Sequence, residues 1–187
     1  MTKMFRNEEA GRSMVEMLGV LAIVGVLSIG GISGYSKAMA KYKVNKTLDQ
    51  ISMLVTNIRS TFGNQNSYAG LNNTTAVTYE LVDTDMSHGT ASTLKSAYNG
   101  TVTISTADNN LAFTIKYQGV PKGACASIAS SNWGDSAASG LVSIAIKGSS
   151  EVTHKWADST NKLPIPFGTA AGECSSDNAN EITWKYY

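Results

Sequence analysis

Between Gly11 and Gly31 the chain reads GRSMVEMLGVLAIVGVLSIGG, an apolar run with one acid, Glu16, near its start. A carboxylate inside a helix bound for hydrocarbon costs about 2.5–3.5 kcal/mol on insertion scales, so Glu16 marks function by default. The apolar stretch from Met14 to Gly34 holds about 20 residues, enough at about 1.5 Å per residue to cross a bilayer core. Upstream lies a short polar leader that Gly11 closes. Downstream, Val44, Leu48, Ile51, Val55, Ile58 and Phe62 follow one another in alternating steps of four and three. That spacing predicts one apolar stripe of an amphipathic helix, with Lys46, Asp49, Gln50, Asn57 and Arg59 on the other faces. No proline falls between Met14 and Phe62, so the two halves are predicted to form one helix that Gly63 stops.

A glycine, a small hydroxylated residue, two apolar residues and a glutamate ahead of an apolar helix resemble the processing site of type IV pilins and pseudopilins. Arg12 stands where that family usually carries Phe, Met or Leu. The resemblance implies that a prepilin peptidase cuts after Gly11 and methylates the new amine of Arg12. Glu16 would then be the fifth mature residue, read in processing and assembly. It also implies partners: other copies of the chain in a helical homopolymer, the peptidase, the inner-membrane assembly machinery, and the inner membrane before assembly. The product would be an extracellular filament.

The fold implied is α+β: a pilin fold whose long N-terminal helix, apolar in its first half, packs against an antiparallel sheet. The expected segments are a leader over 1–11, which is removed, and an apolar anchor and filament core over 12–34. An amphipathic helix over 35–62 and a globular sheet domain over 63–187 follow.

The rival reading of the N-terminal segment is an ordinary secretory signal peptide. Ala38-Met39-Ala40 has the small-residue form of a secretory cleavage site, with Lys3, Arg6 and Arg12 as its basic end. Cleavage there would cut through a helix that continues beyond it. Lys37, Lys41, Lys43 and Lys46 follow the apolar run, so the positive-inside rule does not by itself place the N-terminus in the cytoplasm.

Beyond the helix, residues 64–100 are rich in Asn, Ser, Thr and Gly, with a candidate strand at Ala76–Val82. Alternation at Thr101–Ser105 and again at Leu111, Phe113, Ile115 and Tyr117, joined through Asp108-Asn109-Asn110, predicts a hairpin. Gly123–Ser131 reads as a short helix bearing Cys125. Leu141–Lys147 reads as a strand with Val142, Ile144 and Ile146 on one face. Glu181–Tyr187 reads as a terminal strand with Ile182, Trp184 and Tyr186 inward.

This order resembles the type IVb pilins: a cysteine on a short helix after the first hairpin, a further strand, then a second cysteine before a terminal strand. Cys125 and Cys174 have no neighbouring His or Cys, so they lack the close ligand pairs of a zinc site. Two cysteines in an exported chain suggest a disulfide; two buried thiols are the alternative. A bridge closing a loop of roughly 50 residues stabilises by about 4 kcal/mol in the chain-entropy model. In the family it delimits the variable, surface-exposed region.

The 187 residues carry a formal net charge of +1 and are 16 % charged. Removing the leader takes Lys3, Arg6, Glu8 and Glu9 together and leaves the balance unchanged. That balance gives no electrostatic reason to expect a nucleic-acid partner. His88 and His154, the only histidines, have no second ligand at metal spacing, and no metal or cofactor is expected. Asp83-Thr84-Asp85-Met86-Ser87 imitates the start of a calcium loop, but the glycine comes late, at Gly89, and Leu94 stands where the bidentate acid belongs. Neither a nucleotide-binding glycine loop nor a G-x-S-x-G elbow occurs. Sequons at Asn45, Asn72, Asn73 and Asn99 are those an Asn/Thr-rich chain produces by chance.

The expectation is therefore a non-enzymatic structural subunit of a type IVb-like pilus. The alternatives are a minor pilin or secretion-system pseudopilin, and an exported binding or adhesin domain that never polymerises.

Overall fold

With no proline to interrupt it, the N-terminal backbone forms one helix, α1, over Glu9–Phe62. The computed structural model describes residues 9–87, 92–134 and 136–187; most of the leader, His88 and Gly89 lie outside them. Two units share α1, Met1–Lys41 and Tyr42–Tyr187.

In the first unit the large apolar side chains of residues 14–32 are all exposed, from 51 % at Val24 to 73 % at Met14. Nothing among the described residues covers them. This segment of α1 is long and apolar enough to cross a membrane.

In the second unit α1 buries Thr47, Gln50, Ile51, Leu54, Ile58 and Phe62. The stripe is therefore shifted from the predicted one: Val44, Leu48 and Val55 flank it half-buried, Leu54 joins it, and Gln50 lies inside rather than on a solvated face. Gly63 ends the helix, and a Cβ there would lie 2.6 Å from the Arg59 carbonyl oxygen.

Residues 73–78 form a short helix, α2 (Asn73–Thr78), not the strand predicted at Ala76–Val82. The side chain of Asn72 accepts a hydrogen bond from the Thr75 amide at 3.0 Å, a cap that favours helix, and Ala76 faces the core.

A six-stranded antiparallel sheet follows, of β1 (Leu94–Lys95), β2 (Thr101–Ala107), β3 (Ala112–Val120), β4 (Leu141–Lys147), β5 (Glu151–Lys155) and β6 (Asn180–Tyr186). Its spatial order is β1-β2-β3-β6-β4-β5, so the C-terminal strand is central. Helix α3 (Lys122–Ala129) follows β3, and α4 (Phe167–Glu173) precedes β6.

The register builds a continuous inner row: Ile104 opposite Ile115, then Trp184, Ile144 and His154. Ile104, Ile115, Trp184 and Ile144 share one core with Ile51, Leu54, Ile58 and Phe62 of α1. An aromatic series joins helix to sheet, with ring centroids 5.9 Å apart for Phe62–Tyr68, 4.8 Å for Tyr68–Phe113 and 5.7 Å for Phe113–Tyr186.

Two predicted side-chain placements differ. Leu111 is 61 % exposed because it still belongs to the hairpin turn, in which Asp108, Asn109 and Asn110 all have positive φ. Val142 sits at a register shift between Leu141 and Ser143, so Leu141 takes its place in the core.

Each sheet edge is met over part of its length by a neighbouring segment, which blunts unwanted edge pairing there. Asn73 mimics a strand beside β2: its Oδ1 accepts from the Ile104 amide at 2.7 Å and its Nδ2 donates to the Val102 carbonyl at 3.0 Å. At the far edge, the amide of Leu163 donates to the Lys155 carbonyl at 3.1 Å, and the Lys155 amide donates to Asn161.

Candidate functional site

Gly11, Arg12 and Glu16 all lie on α1, within about two turns of its start at Glu9. Glu16 is exposed, as are its chain neighbours Val15, Met17 and Leu18. The first unit thus presents a single carboxylate within a helical surface otherwise apolar from Met14 to Gly34, save for Ser28 and Ser33. Such a surface in water is unfavourable at about 25 cal/mol per Å² of apolar area, so it belongs in lipid or against other apolar helices.

The second feature is the disulfide. Helix α3 presents Cys125 and the C-terminal end of α4 presents Cys174; both are fully buried, their Cα atoms 5.9 Å apart, and they are bonded. The bridge encloses β4, β5 and α4. Next to it, the buried His154 of β5 meets Glu173 of α4, with Nε2 at 2.8 and 3.0 Å from the two carboxylate oxygens. His154 Nδ1 is buried without a partner, so the Nε2 proton makes the bond to the carboxylate. Among the described residues, no three His, Cys, Asp or Glu side chains come together as a metal set.

Three lysines pair with acids on the outer sheet face and beside it. Glu181 lies 3.9 Å from Lys116 and 3.8 Å from Lys147, and accepts from Gln118 at 3.0 Å. Lys185 meets Asp108 at 2.6 Å. These are exposed pairs of small energetic worth. On the helical side, Lys46 of α1 pairs with Asp85, and that hydrogen bond raises the lysine pKa.

Residues 41–186 match the protein family described as PilS N terminal. The chain belongs to the PilS family of pilins. The match begins one residue before the globular unit, and so does not extend over the leader or the apolar half of α1. No curated protein matches the sequence. Among solved structures, the chain is similar to TcpA, a type IV pilin of the Vibrio cholerae El Tor biotype. The TM-score is 0.52 at 12 % identity, covering 78 % of this chain and 99 % of that one. At that identity the likeness speaks for the fold, and the fold is that of a type IV pilin: a long N-terminal helix, an antiparallel sheet and a disulfide-bounded C-terminal region. As a pilin, the chain is a structural subunit and not an enzyme.

Three residues of this pilin have roles that the helix and strand patterns do not predict. Arg59, expected on an outer face of the helix, donates from Nη1 to the Ser139 carbonyl at 2.8 Å. Glu173 follows a glycine-rich stretch without a period, and nothing in the sequence pairs it with His154. Gln50, expected on an outer face, lies inside. The one available signal was geometric, since positions 47, 50, 51, 54 and 58 all fall on one helical face.

Proposed function

We propose that this pilin is the major subunit of a type IVb-like pilus and polymerises through residues 12–34. The precursor sits in the inner membrane, and a prepilin peptidase cuts after Gly11, exposing the amine of Arg12. Glu16 of one subunit pairs with that amine on a neighbour. The pairing offsets a carboxylate cost of about 2.5–3.5 kcal/mol in hydrocarbon. With the assembly machinery, the apolar surfaces of residues 14–34 leave lipid and pack together, while the sheet units form the wall of an extracellular filament.

The observation that supports this reading is the exposed apolar surface of α1, without cover from the rest of the described chain and carrying one acid. A plain membrane anchor explains the apolar surface but gives no use to Glu16. The test is Glu16→Ala in cells. The expected variant is cleaved and membrane-resident, yet filaments in the sheared fraction fall at least about tenfold, the effect of losing roughly 1.4 kcal/mol per contact. Filaments at normal yield would refute the pairing.

A further inference from the structure

No acid stands between Glu16 and Asp49, a stretch that holds Lys37, Lys41, Lys43 and Lys46. Two of these lysines have partners in the globular unit. Lys46 pairs with Asp85, and the Lys43 ammonium lies 5.8 Å from the centre of the Tyr98 ring. Lys37 and Lys41 belong to the first unit, are exposed, and meet no carboxylate among the described residues. They stand four positions apart on one helix face, where like charges repel and weaken the helix. That pair lacks an anion, and the chain does not supply one.

Position decides which anion fits. Lys37 comes three residues after Gly34, about 4.5 Å past the end of the apolar run. Side chains on a helix lean toward its N-terminus, so both ammoniums reach back toward that end. Tyr35, next to Gly34 and 67 % exposed, suits the level where hydrocarbon meets headgroups. In the other direction, Lys37 lies 25 positions after Arg12 (37 − 12), about 37 Å along the helix. That length exceeds a hydrocarbon core of about 30 Å and falls short of a whole bilayer of about 40–45 Å. With Lys37 among the headgroups of one leaflet, the Gly11–Arg12 peptide lies among those of the other.

We propose that Lys37 and Lys41, with Tyr35 beside them, bind the headgroups of anionic phospholipids and set the depth of the apolar helix in the bilayer. This rests on the reading that residues 14–34 span a membrane, and on neither cleavage nor assembly. A lipid phosphate between the two ammoniums replaces their mutual repulsion with a shared attraction. The depth so fixed brings the Gly11–Arg12 peptide to the opposite surface, where a peptidase can reach it. Glu16, one turn deeper, enters a fully apolar environment only when the helix moves among its neighbours.

The test uses the isotope-labelled full chain in phosphatidylcholine bicelles, with phosphatidylglycerol added stepwise. Amide NMR reads the shifts, and a water-soluble gadolinium chelate marks the amides outside the hydrocarbon. Phosphatidylglycerol is expected to shift the amides of residues 35–41, and the shifts to shrink in about 1 M salt, where the Debye length is about 3 Å. Lys37→Gln/Lys41→Gln should cut the response at least about fivefold, the effect of losing one lysine or more at an anionic surface. The chelate is expected to relax the Arg12 amide and those beyond Lys37 while amides 17–33 stay shielded. In the double variant the shielding should extend past position 37. Three results would each overturn the proposal: no shift with phosphatidylglycerol, a double variant that responds like the parent chain, or an Arg12 amide as shielded as that of Val24. Strong relaxation throughout residues 17–33 would refute the membrane-spanning reading itself, and the proposal with it.

Discussion

The guanidinium of Arg59 fills the space that a side chain at position 140 would need: a Cβ on Gly140 would come within 2.0 Å of Nη2. The same glycine has φ +81°, and its neighbour Ser139 accepts the Arg59 hydrogen bond. Helix α1 is thereby fastened to the turn that leads into β4. Gly140→Ala should destabilise the globular unit by about 1–3 kcal/mol through left-handed strain and displacement of Arg59. In urea unfolding, Arg59→Ala should relieve part of that loss, so the double variant falls short of the sum. Strict additivity would contradict the contact.

Met53 and Leu54 are adjacent on α1 but opposite in burial, at 50 % and 1 % exposure. Leu54→Ala should cost about 2–5 kcal/mol, the range for emptying a packed leucine site. Met53→Ala should stay within about 0.5 kcal/mol, as exposed substitutions do. Equal losses would mean that the buried face of the helix is misassigned.

The Cys125–Cys174 bridge spans 49 positions. Its removal should lower the stability of the globular unit by about 4 kcal/mol on the chain-entropy account. Denaturant midpoints with and without reductant, and for the Cys125→Ser/Cys174→Ser pair, measure this. Unchanged midpoints would contradict it.

Alkaline pH should also unfold the globular unit. Burial pushes Tyr98 and Tyr186 up to about 12 and Tyr117 higher still. A raised pKa means that the folded state holds the proton more tightly. The stabilisation is therefore complete below about pH 10, the unfolded tyrosine value, and is lost as pH rises toward 12. Tyrosinate absorbance from Tyr98, Tyr117 and Tyr186 should rise only above about pH 10 and together with cooperative unfolding. Ionisation of these three in a chain that stays folded would contradict this.

The long helix was legible because steric and hydrophobic signals agree over its length, with no proline, one apolar run and one stripe. Strand β4 and the terminal strand were legible from alternation alone, since each carries three apolar residues at period two. What escaped were features set by partners distant in sequence. Helix α4 reads as Phe167-Gly-Thr-Ala-Ala-Gly-Glu, too small and glycine-rich to show a period, and it is held by Cys174 and by His154. Strand β5 has one apolar residue, Val152, and exists because β4 pairs with it. Asn73 looked like a loop residue and a chance sequon, yet its amide completes the edge of β2. The lone acid in the apolar run was fully legible as chemistry, because hydrocarbon makes a single carboxylate conspicuous whatever the fold around it.

Intact mass with N-terminal sequencing of the protein isolated from cells decides where the mature chain begins. A pilin processed for assembly starts at Arg12, with or without one methyl group, and keeps Glu16 at its fifth position. A mature chain starting at Lys41 would contradict that processing, because the entire apolar helix surface would be gone before any filament could form.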